Sequence, residues 1–331
     1  MNVPTLPPEI LKHIFTYVDW VTLKNIRLTC KQFYYIVKKN IRDMQKPTLF
    51  YLSIESAVRE NGSREIKLNY ECEGYAPYSD QLTNDCLEEW KKLKDLEKLL
   101  SKTNLRYINE MEIKIHGNTK IFNVINRYFK PGTSFTCLCI YIYNSPVFKG
   151  FAEFMSKIKY VREFWLPHLC FQNQSIPQNY VLPIDKYITR LTFKECPCTP
   201  FINAKMIKYF IENNPELYYL NLSTYRRHYE RDVIKTIMNQ LKKNTIGCSP
   251  HDFYISFRTI GISYNLENEF HNHFFGTDYR LKEIDEEFDI PYYKASLPCG
   301  SCNEEKVITV RMSHYNINHP HFCELPEDDD A

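Results

Sequence analysis

Between residues 108 and 222 the chain repeats one apolar spacing five times, with apolar side chains at positions 1, 4 and 6 of each copy. The copies are Ile108-Met111-Ile113, Phe135-Leu138-Ile140, Val161-Phe164-Leu166-Leu169, Ile188-Leu191-Phe193-Cys196 and Leu217-Leu220-Leu222. They start at residues 108, 135, 161, 188 and 217, a period of 26 to 29 residues. Alternation within each copy predicts a strand that buries one face. Apolar stripes at helical spacing fall between the copies: Ile121, Phe122, Ile125, Tyr128 and Phe129, then Phe148, Phe151, Met155 and Ile158. Ala204, Ile207, Phe210 and Ile211 make a third, and Val233, Ile237 and Leu241 a fourth. Pro131-Gly132 and Asn213-Asn214-Pro215 stop two of them. One strand plus one helix cannot bury its apolar face alone, so such units stack. The predicted fold class is α/β, a β/α solenoid with parallel strands. Residues 65–70 and 84–100 read as a strand and a charged helix of an irregular first repeat. Residues 251–258 read as a last strand.

Strand alternation also predicts which residues leave the core. Positions 3, 5 and 7 of each copy, Glu163, Trp165 and Pro167 in the third, point to the concave side of the sheet. That side carries Tyr141, Trp165, Arg190 and Tyr219. Trp, Tyr and Arg supply most interface anchors, so these four are the expected substrate contacts. A solvated face with Trp165 folded under a loop is the other reading of the same pattern. The Cys137/Cys139 and Cys196/Cys198 pairs, two apart, read as packing or concave-surface thiols.

Several function classes are disfavoured. The 331 residues include nine glycines, no two within three positions, so GxGxxG, the P-loop and GxSxG are absent, and so is HExxH. A net charge of +2 makes no case for nucleic acid or an anionic membrane. The apolar run Cys137–Tyr143 is far shorter than the ~20 residues of a membrane span. Residues 1–11 show neither a basic nor an apolar signal region. Twelve cysteines then read as reduced thiols, and the expected location is cytoplasmic or nuclear.

Residues 6–37 pattern as three short helices: Ile10, Leu11, Ile14, Phe15 and Val18 on the first, Leu23 and Ile26 on the second, Phe33, Ile36 and Val37 on the third. Asp19 or Thr22 is expected to cap the second helix and Thr29 the third. So small a unit cannot bury all its apolar surface, which suggests a partner. The run Leu6-Pro7-x-Glu9-Ile10-Leu11, then Ile14-Phe15, Leu23, Leu28-Thr29-Cys30-Lys31 and Phe33 resembles an F-box. Thr29 replaces the usual valine, and Phe33 stands where tryptophan is common. The resemblance implies docking onto the SKP-family adaptor of cullin–RING ubiquitin ligases. It assigns the docking face to Leu6, Pro7, Ile10, Leu11, Ile14, Phe15, Leu23, Leu28, Cys30 and Phe33. The repeat array likewise resembles a degenerate leucine-rich-repeat domain, as many F-box proteins carry. Together these imply a non-catalytic substrate receptor of a ubiquitin ligase. A scaffold of the same fold that degrades nothing is the alternative.

The expected organisation is residues 1–45 as F-box, 46–245 as solenoid and 246–331 as an irregular region ending in a short acidic tail. The last region carries Cys299-Gly300-Ser301-Cys302 before a strand at 306–312. Cys299, Cys302 and Cys323 with His319 or His321 would supply four zinc ligands. A thiol-bearing turn with surface histidines explains the same residues without metal. No cofactor is expected apart from this zinc, and no nucleophile–base pair stands at a recognisable spacing.

Overall fold

The computed structural model describes residues 6–41, 43–58, 64–72, 90–172, 174–184, 187–224, 236, 252–259, 279–285, 290–298 and 305–314. Helices α1 (Pro8–Phe15), α2 (Trp20–Thr29) and α3 (Lys31–Lys39) come first. Pro7 and Pro8 open α1, where a missing N–H costs nothing. Asp19 caps α2 by accepting from the Thr22 N–H at 2.9 Å. The third helix is capped by Cys30, not Thr29: the Phe33 N–H donates to Cys30 Sγ at 3.5 Å. Thr29 instead ends α2, its hydroxyl donating back to the Ile26 carbonyl. The three helices enclose a small core of Leu11, Phe15, Leu23, Ile36, Val37 and Met44, separate from the main one.

The remaining elements build one sheet. In chain order they are β1 (Leu49–Val58), β2 (Arg64–Cys72), β3 (Trp90–Lys91), α4 (Leu93–Lys102), β4 (Tyr107–His116), α5 (Ile121–Tyr128), β5 (Thr133–Tyr143) and α6 (Phe148–Met155). Then follow β6 (Ile158–Leu169), β7 (Arg190–Glu195), α7 (Ala204–Asn213), β8 (Tyr219–Ser223), β9 (Asp252–Thr259), β10 (Tyr279–Asp285), β11 (Ile290–Pro298) and β12 (Glu305–His314). The strand order is β10-β11-β12-β9-β8-β7-β6-β5-β4-β1-β2-β3. From β1 through β4 to β9 and on to β12 every neighbour is parallel. Antiparallel strands close both edges, β2 and β3 at one and β10 and β11 at the other. Mostly parallel strands alternating with short helices are the α/β architecture that the period predicts.

The register of the repeats is the predicted one. Leu52, Met111, Leu138, Phe164, Leu191, Leu220 and Ile255 stand side by side across seven strands, all buried. Helices α4 to α7 close over this face with Leu96, Phe122, Ile125, Phe151, Phe154, Ile207 and Phe210. Phenylalanines dominate the layer: Phe154 meets Phe129 edge-on at 5.4 Å, and Phe193 meets Phe210 at 5.7 Å. At Gly150 α6 passes close to α5: a Cβ there would lie 2.8 Å from Phe122 Cβ. The buried Asn214 locks a turn after α7: its Oδ1 accepts from the Ile188 N–H at 2.8 Å and its Nδ2 donates to the Phe210 carbonyl.

Three expectations change. The charged helix starts at Leu93, and Trp90–Lys91 is a strand paired with β2; residues 84–89 lie outside the described set. Where the unit pattern of one strand plus one helix implies a helix, the β6–β7 connection carries none among its described residues; Pro177 and Pro183 oppose one, and Phe171, Leu182 and Ile184 join the main core. The strand at residues 252–259 is not the last, because β12 continues the sheet parallel to it. The fourth helical stripe, Val233, Ile237 and Leu241, lies outside the described residues.

Gly150→Ala is expected to cost about 1–3 kcal/mol through overpacking against Phe122. Asn214→Ala, which orphans a buried N–H, is expected to cost a similar ~1–3 kcal/mol. Urea unfolding of each variant against the parent chain checks both.

Candidate functional site

The helical unit sorts its apolar residues into two sets. Leu11, Phe15 and Leu23 point inward and are buried, and Phe33 packs edge-on against Phe15 at 5.4 Å. These four hold the unit together. Leu11, Phe15 and Leu23 are therefore not part of an open docking face, because three short helices need them to have any core. Phe33 is half-buried. Leu6, just before α1, and Ile10 and Ile14 on it stay 46%, 48% and 42% exposed, and Leu28 near the end of α2 is 82% exposed. Pro7 and Cys30 are exposed as well. Tyr17 and Tyr35, not singled out by the motif, add exposed aromatic surface. Exposed branched apolar groups on a unit with its own closed core are what a partner would cover.

The second surface is the sheet face away from the helices. Its rows run across the strands in register. One row is Tyr51, Glu110, Cys137, Glu163, Arg190, Tyr219 and Tyr254. The next is Ser53, Glu112, Cys139, Trp165, Thr192, Asn221, Ser256 and Arg311. All four expected contacts lie on this face, each half-buried. Trp165 and Tyr219 stack at 6.4 Å across the small Thr192, and Tyr219 continues onto Tyr254 at 5.2 Å. Arg190 donates from Nε to the Tyr218 hydroxyl at 2.5 Å and lies over that ring. Tyr141 sits apart from this pair, beside Tyr143 at 6.0 Å with the Lys114 ammonium over its ring.

A second ladder was missed by sequence reasoning. His116, Tyr143 and His168 stack in order, each step 4.6 Å. Alternation carried two residues past the repeat template would have found His116 and Tyr143. His168 needed the structure: β6 bulges between Leu166 and Leu169, so His168, not Pro167, pairs with Tyr141. Among the described residues, Trp165 Nε1, His168 Nε2, His116 Nδ1 and Thr192 Oγ1 have no hydrogen-bond partner.

Burial sets the protonation on this face. The Cys137 thiol is pushed up to about 12 by burial and by Glu110 and Glu163 beside it. Cys139 rises to about 11, again mainly through burial. Both stay protonated at neutral pH and are poor nucleophiles. Burial holds His168 below the usual histidine value, with Cys170 pulling it back and His116 and Lys194 adding to the drop. Burial also lowers His116; Glu55 at 3.7 Å opposes the shift and Lys114 reinforces it.

The metal candidates Cys299, Cys302, His319, His321 and Cys323 lie outside the described residues. One other group of ligand-type side chains converges among the described residues, Cys170, Cys196 and Cys198. Cys196 and Cys198 follow β7, in a turn rather than in the strand. No helix among the described residues is long and apolar enough to cross a membrane.

Comparison with known proteins places one part of the chain. Residues 3–42 match the family model described as F-box-like. No curated protein and no solved structure matches.

The unfolded chain takes up histidine protons near pH 6.5, whereas folded His116 and His168 take them up only at lower pH. Their contribution to stability is thus complete above pH 6.5 and is lost as pH falls toward the folded-state values. The melting temperature is expected to drop as pH falls below 6.5, and His116→Gln/His168→Gln to flatten that drop. Thermal melts across pH check it.

Proposed function

We propose that this chain, whose residues 3–42 form an F-box-like domain, is the substrate-recognition subunit of an SCF-type (cullin–RING) ubiquitin ligase. The N-terminal unit docks on the SKP-family adaptor, and the polar sheet face holds a protein substrate. One observation carries the reading: the helical unit closes its own core on Leu11, Phe15 and Leu23 and still exposes Ile10, Ile14 and Leu28. The adaptor contacts are Leu6, Pro7, Ile10, Ile14, Leu28 and Cys30, with Phe33 at their border.

The division of labour places docking in residues 6–41 and recognition in the sheet from residue 49 onward. Trp165, Tyr219 and Arg190 are the central anchors, with Tyr141 on the flanking ladder. Their rings offer large rigid area at low entropic cost. The contribution is positional: substrate is held at high effective concentration near a ubiquitin-loaded enzyme that other subunits supply. The raised thiols of Cys137 and Cys139 support a role without covalent chemistry on this face.

Co-expression with an SKP-family adaptor tests docking. Ile10→Asp/Ile14→Asp is expected to weaken the complex at least 10-fold, about 1.4 kcal/mol, with helical content unchanged. Leu23→Ala is expected instead to cost about 2–5 kcal/mol of stability. A well-folded parent chain that captures no adaptor would refute the docking assignment. Trp165→Ala/Tyr219→Ala is expected to keep the adaptor and lose the substrate. Adaptor binding with no proteasome-dependent turnover of any captured protein would favour a non-degradative scaffold.

A further inference from the structure

Three thiols meet just beyond the ends of neighbouring strands β6 and β7. Cys170 follows Leu169, the last residue of β6. Cys196-Pro197-Cys198 follows Glu195, the last of β7. The Thr199 N–H donates to the Cys196 carbonyl at 3.0 Å, closing a turn with Pro197 at its second position. Cys196 Sγ and Cys198 Sγ lie 2.8 Å apart, and Cys198 Sγ lies 3.2 Å from Cys170 Sγ. All three sulfurs fall within 4.8 Å of one another.

The backbone, not the thiols, holds this arrangement. The Cys196 N–H donates to the Leu169 carbonyl at 3.0 Å, and the Cys170 N–H to the Ile142 carbonyl at 2.8 Å. The Ser145 N–H donates to the Cys170 carbonyl at 3.0 Å. The Phe171 N–H donates to Thr199 Oγ1 at 2.8 Å, tying the Cys170 segment to the cysteine turn. Cys170 and Cys196 are buried and Cys198 is half-exposed. Three soft donors from two repeats are thus pre-positioned on one side, with the third open to entry.

We propose that Cys170, Cys196 and Cys198 form a three-thiolate site for Zn²⁺ that staples the repeat of β6 to that of β7. A disulfide would use two sulfurs and leave the third; a thiophilic ion engages all three. Zn–S bonds of about 2.3 Å place sulfurs ~3.8 Å apart in a tetrahedron, so the observed pairs open by roughly 0.6 to 1 Å on binding. The fourth position, on the Cys198 side, takes water. Binding exchanges three thiol protons for one Zn²⁺, leaving a site of net charge −1 and releasing three protons. The staple sits where the β6–β7 connection has no helix among its described residues and where β6 bulges. It is independent of the adaptor-docking reading, because every ligand lies just past a strand of the sheet and none lies in the helical unit.

The test is Co²⁺ titration of the full chain after chelator treatment, under reducing, oxygen-free conditions, followed by displacement with Zn²⁺. The parent chain is expected to show a thiolate-to-cobalt charge-transfer band and tetrahedral visible bands, erased by Zn²⁺ and saturating near one equivalent for this site. Cys170→Ser and Cys198→Ser are each expected to weaken that binding at least about 10-fold, while Cys299→Ser/Cys302→Ser retains it. Zn²⁺ is expected to raise the melting temperature of the parent chain more than that of Cys198→Ser. Cys198→Ser changes a half-exposed turn residue, so it reports on the site even if Cys170→Ser folds poorly. Absence of cobalt bands in the folded parent chain would overturn the proposal. So would bands lost with Cys299→Ser/Cys302→Ser but kept in Cys198→Ser, or a Cys170–Cys198 or Cys196–Cys198 disulfide in the chain as purified.

Discussion

The column Leu52, Met111, Leu138, Phe164, Leu191, Leu220 and Ile255 bears on the whole sheet and the helical layer over it. Parallel strands pair only through crossovers, so each repeat must return its chain over one face of the sheet. Among the described residues, the helical crossovers are eight to ten residues long, marginal in isolation and stable only when one side is buried. The apolar column provides that burial. Large rings make up for the shortness of the helices: Phe122 meets Phe151 edge to face, and Phe154 meets Phe129 and Phe135 the same way.

Using one face for stability leaves the other for recognition. A side chain two residues along a strand stays on its face, so the residues between the buried positions line up in rows across neighbouring repeats. Rows of this kind place Trp165 against Tyr219 and His116 against Tyr143 from segments distant in sequence. Flat rings in register stack, and Trp165 Nε1, His168 Nε2 and His116 Nδ1 are left without partners. The helical unit follows the same economy at smaller scale, closing its core with a few side chains and leaving Ile10, Ile14 and Leu28 outside.

The three thiols show how the repeat generates chemistry that no single segment contains. Cys170 and Cys198 stand 28 residues apart, close to one period, so each falls just past the end of its own strand. Parallel pairing then sets those two ends side by side. The hydrogen bonds that finish the strands, such as Cys196 N–H to Leu169 carbonyl, fix the separation before any ligand arrives.

The amino-acid sequence alone determined the period, the inward positions of each strand, the stripes of α5 to α7 except that Ile158, read as the end of the α6 stripe, opens β6, the stops at Pro131-Gly132 and Pro215, and the three N-terminal helices. These depend on local spacing, which is written in consecutive residues. Tertiary structure decided which apolar residues of the helical unit face inward, because Leu11 and Ile10 differ only in what packs against them. It decided that His168 replaces Pro167 on the open face, since a bulge exists only relative to a paired strand. It decided that Lys306–Met312 joins the sheet beside residues 252–259 and that Cys170 meets Cys198. Each is a contact between segments distant in the chain, and spacing within one segment carries no information about its neighbour across the sheet.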